Sequence, residues 1–161
     1  MSLRKEIVLE KDELGRNILT PEFIKQHVTR SGGFETPSLN SSVILQFIGF
    51  GKIQGLEAYT NLSTLWLEGN GIERIEGLDT LHSLVMLYVH QNQIKELSGL
   101  SKLTNLVTLN CSHNRITKVS GLECCYSLRQ IDLSHNHILD IGDCEMLIDL
   151  PALTCVDFRW N

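Results

Sequence analysis

The stretch Leu62–Ile75, which reads LSTLWLEGNGIERI, returns three times along the chain with the same spacing. Its later copies start at intervals of 22 residues and read LVMLYVHQNQIKEL at 84–97, LVTLNCSHNRITKV at 106–119 and LRQIDLSHNHILDI at 128–141. In each copy apolar residues first alternate and then recur every three positions. Alternation predicts a short β-strand, and the spacing of three suits a 3₁₀-like or irregular turn. Because one copy cannot bury its own apolar residues, the copies are expected to stack into a solenoid.

The pattern L-x-x-L-x-L-x-x-N-x-I-x-x-I/L resembles the leucine-rich repeat. It predicts an α/β solenoid: a right-handed horseshoe with one short parallel strand per repeat on the concave face and irregular or 3₁₀ turns on the convex side. The repeats divide into a degenerate first copy at 40–61, full copies at 62–83, 84–105, 106–127 and 128–152, and a partial copy at 153–161. The repeat asparagines are predicted to hold the chain turn by hydrogen bonds to backbone groups, and they are Asn70, Asn92, Asn114 and Asn136.

Residues 1–39 lack the repeat and are predicted to form an N-terminal arm and a capping helix. Thr20, Pro21 and Glu22 are typical of a helix start, and Ser31–Gly33 of a helix end, so a short helix near 20–30 should cover the open edge of the first strand. Residues 1–16 are highly charged and predict either a mobile arm or a strand-like extension. Since Asn161 lies in mid-repeat, we expect the protein to continue beyond it. An uncapped end would allow self-association, and the oligomeric state stays open.

The composition excludes several classes of protein. The 161 residues are 42% hydrophobic and 20% charged, with a net charge of −5. No apolar run is long enough to cross a membrane, no secretory leader is expected, and the acidic balance argues against a nucleic-acid partner. The five cysteines form no CxxC pair, and Cys111, Cys125 and Cys144 occupy apolar repeat positions. We therefore expect buried, reduced thiols in a reducing compartment.

Residues that the repeat does not require carry a more specific resemblance. They are Gly49-Phe50, Tyr59-Thr60 and Leu65–Glu68, with Thr20–Glu22 and Thr36–Asn40 upstream. Together they resemble the N-terminal repeat region of the dynein axonemal assembly factor 1 family, within the SDS22-like leucine-rich-repeat proteins, over roughly residues 17–161.

This resemblance implies a cytoplasmic scaffold, associated with the cilium or flagellum, for the preassembly of axonemal dynein arms. Dynein arm subunits and the chaperone machinery are the implied partners. The alternative is an SDS22-like adaptor that regulates a phosphatase or organises another intracellular complex. The chain departs from the pattern at Gly77, Gly99 and Gly121, where asparagine is often seen, and at Cys111 in place of a core leucine. These departures are expected to be neutral for the fold.

Strand side chains that point away from the core form the predicted binding surface. The predicted protein-binding residues of this concave face are Ile44, Trp66, Glu68, Met86, Tyr88, His90, Asn110, Asp132 and Asp157. Exposed aromatic pairs such as Trp66 and Tyr88 are typical of binding hot spots, although the N-terminal helix could instead fold over them. Asp132 and Asp157 could attract a basic partner segment or could simply be solvated.

The sequence contains no signature of an enzyme. A glycine-rich phosphate loop, a nucleophile elbow and an HExxH motif are all absent, so we expect no catalytic residue and no cofactor. His113 and His135 occupy equivalent positions one repeat apart, which stacking would bring within about 5 Å. A metal site there is conceivable, but no carboxylate or thiolate is placed to complete it, so none is expected.

Overall fold

The computed structural model describes residues 9–161 and contains one six-stranded parallel sheet. Every repeat contributes one three-residue strand: β1 Ser42–Ile44, β2 Thr64–Trp66, β3 Met86–Tyr88, β4 Thr108–Asn110, β5 Gln130–Asp132 and β6 Cys155–Asp157. The strands lie in chain order, and equivalent residues pair, so that Leu65 faces Leu87 and Leu87 faces Leu109. The predicted solenoid with one short parallel strand per repeat is confirmed.

The core runs along the inner side of this sheet. The middle residue of each strand points inward, and from β1 to β5 these residues are buried: Val43, Leu65, Leu87, Leu109 and Ile131. The leucines that open the full repeats are buried with them, at 0% exposure in each case: Leu62, Leu84, Leu106 and Leu128. Since each coil packs only against its neighbours, this continuous apolar stack is the main source of stability.

The repeat asparagines tie adjacent coils together. Asn114 Nδ2 donates to the carbonyl oxygens of Val89 at 3.0 Å, Cys111 at 3.0 Å and Ser112 at 3.2 Å. Its Oδ1 accepts from Ile94 N at 3.0 Å. Asn92 and Asn136 repeat this set one coil away on either side, and all three are buried. The predicted structural role of these side chains is confirmed by the bonds that they make.

Three glycines stand at equivalent turns on the side of the coil opposite the strands. Gly77, Gly99 and Gly121 have φ angles of 69°, 98° and 83°, in the left-handed region that side chains other than glycine rarely adopt. A Cβ built on Gly99 would lie 2.0 Å from the carbonyl oxygen of Ile75 in the preceding coil. The expectation that these positions are neutral for the fold is therefore wrong, because the coils approach too closely there for any side chain.

The N-terminal helix α1 spans Pro21–Arg30 and confirms the predicted cap. Thr20 Oγ1 accepts from Phe23 N at 3.1 Å and so caps the first turn. Val28 is buried against the core, and His27 Nε2 lies 3.0 Å from the carbonyl oxygen of Ile44. The helix thus sits at the outer edge of β1, where a bare strand would otherwise expose its backbone.

The segment before this helix is pinned to the first coil. Lys11 forms an antiparallel bridge with Asn17, whose backbone N donates to Gly49 O at 2.9 Å. Arg16 pairs with Asp12 at 2.7 Å and with Glu73 at 2.8 Å. Residues 9–16 therefore contact the first coil through isolated bridges around a turn and form no regular strand, while 1–8 lie outside the described residues. The division of the chain at residue 39 stays a prediction.

Two 3₁₀ helices complete the described chain. A short one spans Pro37–Leu39, and a longer one spans Ile141–Asp149 in the fourth full repeat. That repeat has three residues more than the 22 of the others, since Gln130 and Cys155 pair across β5 and β6. The longer helix is where the extra length is accommodated.

The five cysteines are free thiols with different exposure. Cys111, Cys125 and Cys144 are buried as predicted, Cys124 is half-buried, and Cys155 is exposed. Burial raises the pKa of the Cys125 thiol to about 11 and raises the pKa of Cys111 further still. Since the thiolate is the reactive form, the buried thiols should be inert near neutral pH.

We expect an aromatic disulfide reagent at neutral pH to label Cys155 first and Cys124 more slowly, with the other three thiols reacting only after unfolding. The measurement is the time course with which the aromatic thiol is released from the reagent, with and without denaturant. Cys155→Ser is the control and should remove the fast phase. Rapid labelling of Cys111 in the folded chain would contradict the burial described above.

Candidate protein-binding face

The first and last residues of each strand point away from the core and form what we call the open face. The last residues of neighbouring strands pair directly, which makes one continuous column: Ile44, Trp66, Tyr88, Asn110, Asp132 and Asp157. Met86 lies on the same face at the start of β3, and Glu68 and His90 follow β2 and β3 two residues past the column. The structure therefore brings the predicted residues onto one surface. Their role in binding stays a prediction.

The N-terminal half of the open face is apolar and aromatic. The rings of Trp66 and Tyr88 stack with centroids 5.6 Å apart and planes 9° apart. Tyr88 OH lies 3.7 Å from Met86 Sδ, and Ile44 is 46% exposed. Both stacked residues are half-buried, and helix α1 is anchored beyond β1 by His27. This position of the helix supports the alternative in which the aromatic pair is accessible.

In the C-terminal half of the column, the polar side chains form hydrogen bonds with residues of their own coil. Asn110 Oδ1 accepts from the backbone N of Ser112 at 3.0 Å and from its Oγ at 2.8 Å. Asp132 Oδ1 makes the same pair of bonds with Ser134, at 2.9 Å and 2.6 Å. These side chains already have partners two residues further along the chain, and a binding protein is not needed to satisfy them.

Asp157, the last residue of β6, is also paired with a residue two positions further along the chain. Arg159 donates to Asp157 through its backbone N and through Nε and Nη2, the last at 2.6 Å. These bonds lower the pKa of Asp157 to about 2. Together with the bonds of Asp132, they show that both acids have partners within the chain, and whether the pair attracts a basic segment stays a prediction.

Glu68 and His90 differ in their hydrogen bonding from Ser112 and Ser134, which occupy the equivalent positions in the polar half. Glu68 is only 8% exposed, and its Oε2 has no hydrogen-bond partner among residues 9–161. His90 is half-buried, and within the same described range its Nδ1 is also unpartnered. Gly69 N donates to His90 O at 3.2 Å, which holds the two coils side by side at this point. Sequence reasoning placed both residues on this face but missed the burial of Glu68, since an acidic residue at a strand end normally indicates solvent.

A second row of side chains follows from the turn after each strand. The residue before each repeat asparagine, and its equivalent in the first copy, has a left-handed φ of 53° to 65°: Phe47, Gly69, Gln91, His113, His135 and Trp160. The imidazoles of His113 and His135 stack with centroids 4.0 Å apart, and Trp160 continues the stack 5.9 Å from His135. Sequence reasoning compared only the two histidines, although the shared position before asparagine signals the whole row.

Across the described residues, no group of three or more histidine, cysteine, aspartate or glutamate residues is arranged to hold a metal ion. In this part of the chain, His113 and His135 meet as a stacked pair without a third ligand. Within residues 9–161, no helix is long and apolar enough to cross a membrane.

Comparison with known proteins gives similarities of three kinds: to a family model, to solved structures and to curated relatives. A family model described as leucine rich repeats in two copies matches residues 60–102, 82–124 and 104–147. Among solved structures, the Drosophila melanogaster SNF/U2A′ complex is similar, with a TM-score of 0.68 and 25% identity over 88% of this chain and 83% of that one.

Two curated relatives resemble a shorter stretch. A dynein axonemal assembly factor 1 homolog from Drosophila melanogaster is 41% identical over 69 residues, which is 43% of this chain and 4% of the relative. Dynein axonemal assembly factor 1 from Peromyscus polionotus is 38% identical over 58 residues, which is 36% of this chain and 9% of the relative. The resemblance inferred from the sequence is confirmed over 69 and 58 residues, fewer than the expected range of 17–161, and the match spans less than a tenth of either relative.

Proposed function

Because the chain belongs to the leucine-rich-repeat family, whose repeats form scaffolds for protein contacts, we propose that it helps to preassemble axonemal dynein arms. The proposal is supported by the similarity to dynein axonemal assembly factor 1 from an insect and a rodent. On this proposal the chain works in the cytoplasm of cells that build motile cilia or flagella. Its partners are dynein arm subunits and the chaperones that fold them.

The stacked Trp66–Tyr88 pair carries the assignment of the contact surface. Two large aromatic rings lie side by side, with Ile44 and Met86 next to them, on a face where the other half is polar and internally bonded. Tryptophan and tyrosine are enriched at the energetic centres of protein interfaces. We therefore place the partner on the N-terminal half of the open face.

We expect depletion of the protein in ciliated cells to remove dynein arms from the axoneme, as seen by electron microscopy. Re-expressed wild-type chain should restore them, whereas Trp66→Ala should not, because loss of a hot-spot aromatic costs about 2 kcal/mol or more, roughly 30-fold in affinity. Gln130→Ala changes an exposed residue of the same face and is the matched control. Normal arms after depletion would contradict the proposed role, and full rescue by Trp66→Ala would contradict the proposed surface.

One observation favours a second candidate function. The similarity to the SNF/U2A′ complex covers 88% of this chain, more than the match to either curated relative. The chain would then be an SDS22-like adaptor that organises another intracellular complex or regulates a phosphatase. Affinity purification followed by mass spectrometry separates the two candidates. Recovery of dynein heavy chains supports the first, and recovery of ribonucleoprotein or phosphatase subunits in their place supports the second.

A further inference from the structure

Four side chains on the open face form a compact block, which we call the acid–aromatic block: Trp66, Glu68, Tyr88 and His90. Trp66 pairs with Tyr88 across β2 and β3. Glu68 and His90 each lie two residues after one of these strands ends. Residues two apart on an extended chain share a face, and neighbouring strands are about 4.8 Å apart. The block is therefore a two-by-two arrangement in which a carboxylate and an imidazole border a stacked aromatic pair.

The carboxylate of this block is in an unfavourable environment as it stands. Glu68 is 8% exposed, and its Oε2 has no partner within residues 9–161. An ionised oxygen that is shielded from water without a hydrogen bond destabilises the fold, and native proteins rarely keep one. His90 does not relieve it, because His90 Nδ1 is unpartnered as well. Both groups therefore lack a partner within residues 9–161, and a rotation of the two side chains towards the open face would present them to a donor from outside the chain.

The polar half of the same face shows that this is not a general property of the repeat. Asp132 and Asn110 occupy the column on later strands, and each accepts two hydrogen bonds from the serine two residues on. Within residues 9–161, the buried side-chain acceptors of the open face that lack a partner are Glu68 Oε2 and His90 Nδ1, and both lie beside the aromatic stack. A carboxylate next to an aromatic stack favours a ligand that is positively charged and that can also pack flat against an aromatic ring.

An arginine side chain satisfies all parts of the block. Its planar guanidinium stacks on aromatic rings and carries five N–H donors. The edge of the guanidinium can donate two parallel hydrogen bonds to a carboxylate. Glu68 Oε2 can accept two of those hydrogens, and His90 Nδ1 can accept another in the tautomer that carries its hydrogen on Nε2. We propose that the acid–aromatic block is a receptor for an arginine side chain of the protein partner. This inference rests on the proposed function as a scaffold, and it specifies which type of partner side chain the open face binds.

The test is a proton–nitrogen NMR titration of the whole chain with N-acetyl-arginine amide, read on the indole N–H of Trp66. Trp160 follows β6, at the opposite end of the sheet from Trp66, and its indole N–H serves as the internal reference. We expect saturable shifts at Trp66 and affinity at least tenfold higher than for N-acetyl-citrulline amide, which has the same shape without the charge. Equal binding of the citrulline probe, equal binding of N-acetyl-lysine amide, or no saturable shift would overturn the proposal.

Two substitutions separate a binding role for Glu68 from a structural one. Glu68→Gln should weaken the arginine probe at least tenfold without lowering the melting temperature, because it removes a buried charge that has no partner. Asp132→Asn is the matched control on the same face and should leave the affinity within twofold. Trp66→Leu should also weaken the probe, and it tests the block without touching the carboxylate. Unchanged arginine affinity in Glu68→Gln would overturn the proposal.

The outcome also separates this inference from the proposed function. If Trp66→Ala fails to restore dynein arms while Glu68→Gln restores them and binds no less arginine probe, the contact surface stands and the arginine receptor is wrong. If both variants restore the arms fully, the open face is not the contact surface.

Discussion

Replacing Gly99 with alanine should destabilise the folded chain by about 3 kcal/mol. A left-handed φ of 98° costs an L-residue roughly 1–2 kcal/mol, and the new methyl group would lie 2.0 Å from the Ile75 carbonyl oxygen. Relieving such an overlap requires the two coils to move apart, which typically costs a further 1–3 kcal/mol of packing. Urea unfolding followed by circular dichroism measures the loss as a lower midpoint.

Gly32→Ala separates the two causes. Gly32 has a comparable φ of 91°, but a Cβ built on it meets nothing within 4 Å. This variant should therefore lose only the conformational part, about 1 kcal/mol. An equal loss of stability in the two variants would show that the close approach of Gly99 to the preceding coil contributes nothing.

Asn114→Ala is expected to cost roughly 3–4 kcal/mol. The change removes three donated bonds and one accepted bond from a buried site and leaves the backbone N of Ile94 without its acceptor. Each buried polar group that loses its partner costs about 1–3 kcal/mol, with part of the loss recovered when water enters. The free energy of unfolding in urea is again the measurement.

Asn105→Ala is the matched control for this substitution. Asn105 Nδ2 also donates to a carbonyl oxygen of the preceding repeat, that of His82 at 2.9 Å, but on the exposed surface. Water replaces such a bond, so the loss should stay below about 1 kcal/mol. If Asn114→Ala were no more harmful than this control, the asparagine ladder would not be a determinant of stability.

The period of 22 residues was enough to predict the strands, their order and the column on the open face. Trp66, Tyr88 and Asp132 lie where the alternation of inward and outward residues places them, because a strand permits only two directions. Helix α1 was predictable for a similar reason, since its start and end use local chemistry at Thr20 and Gly32. The strands, the column and helix α1 were predictable because residues that are close together in the sequence determine them.

The features that sequence reasoning missed depend on contacts between coils. Gly99 is required because a carbonyl oxygen 24 positions earlier approaches it, and nothing in its own turn reveals that. The burial of Glu68 likewise arises from the adjacent coils, although its residue type favours solvent. Asn17 pairs with Gly49 across the N-terminal cap, a contact that charge patterning in residues 1–16 could not indicate.

The longer fourth repeat shows that the two sides of the molecule can change separately. Ile141–Asp149 accommodates extra chain, yet Ile131 still pairs with Val156 and Asp132 with Asp157 across the sheet. Insertions at the back of a coil therefore leave the spacing of the front column intact. During evolution, such a chain can acquire or lose contacts on one side while selection maintains the other.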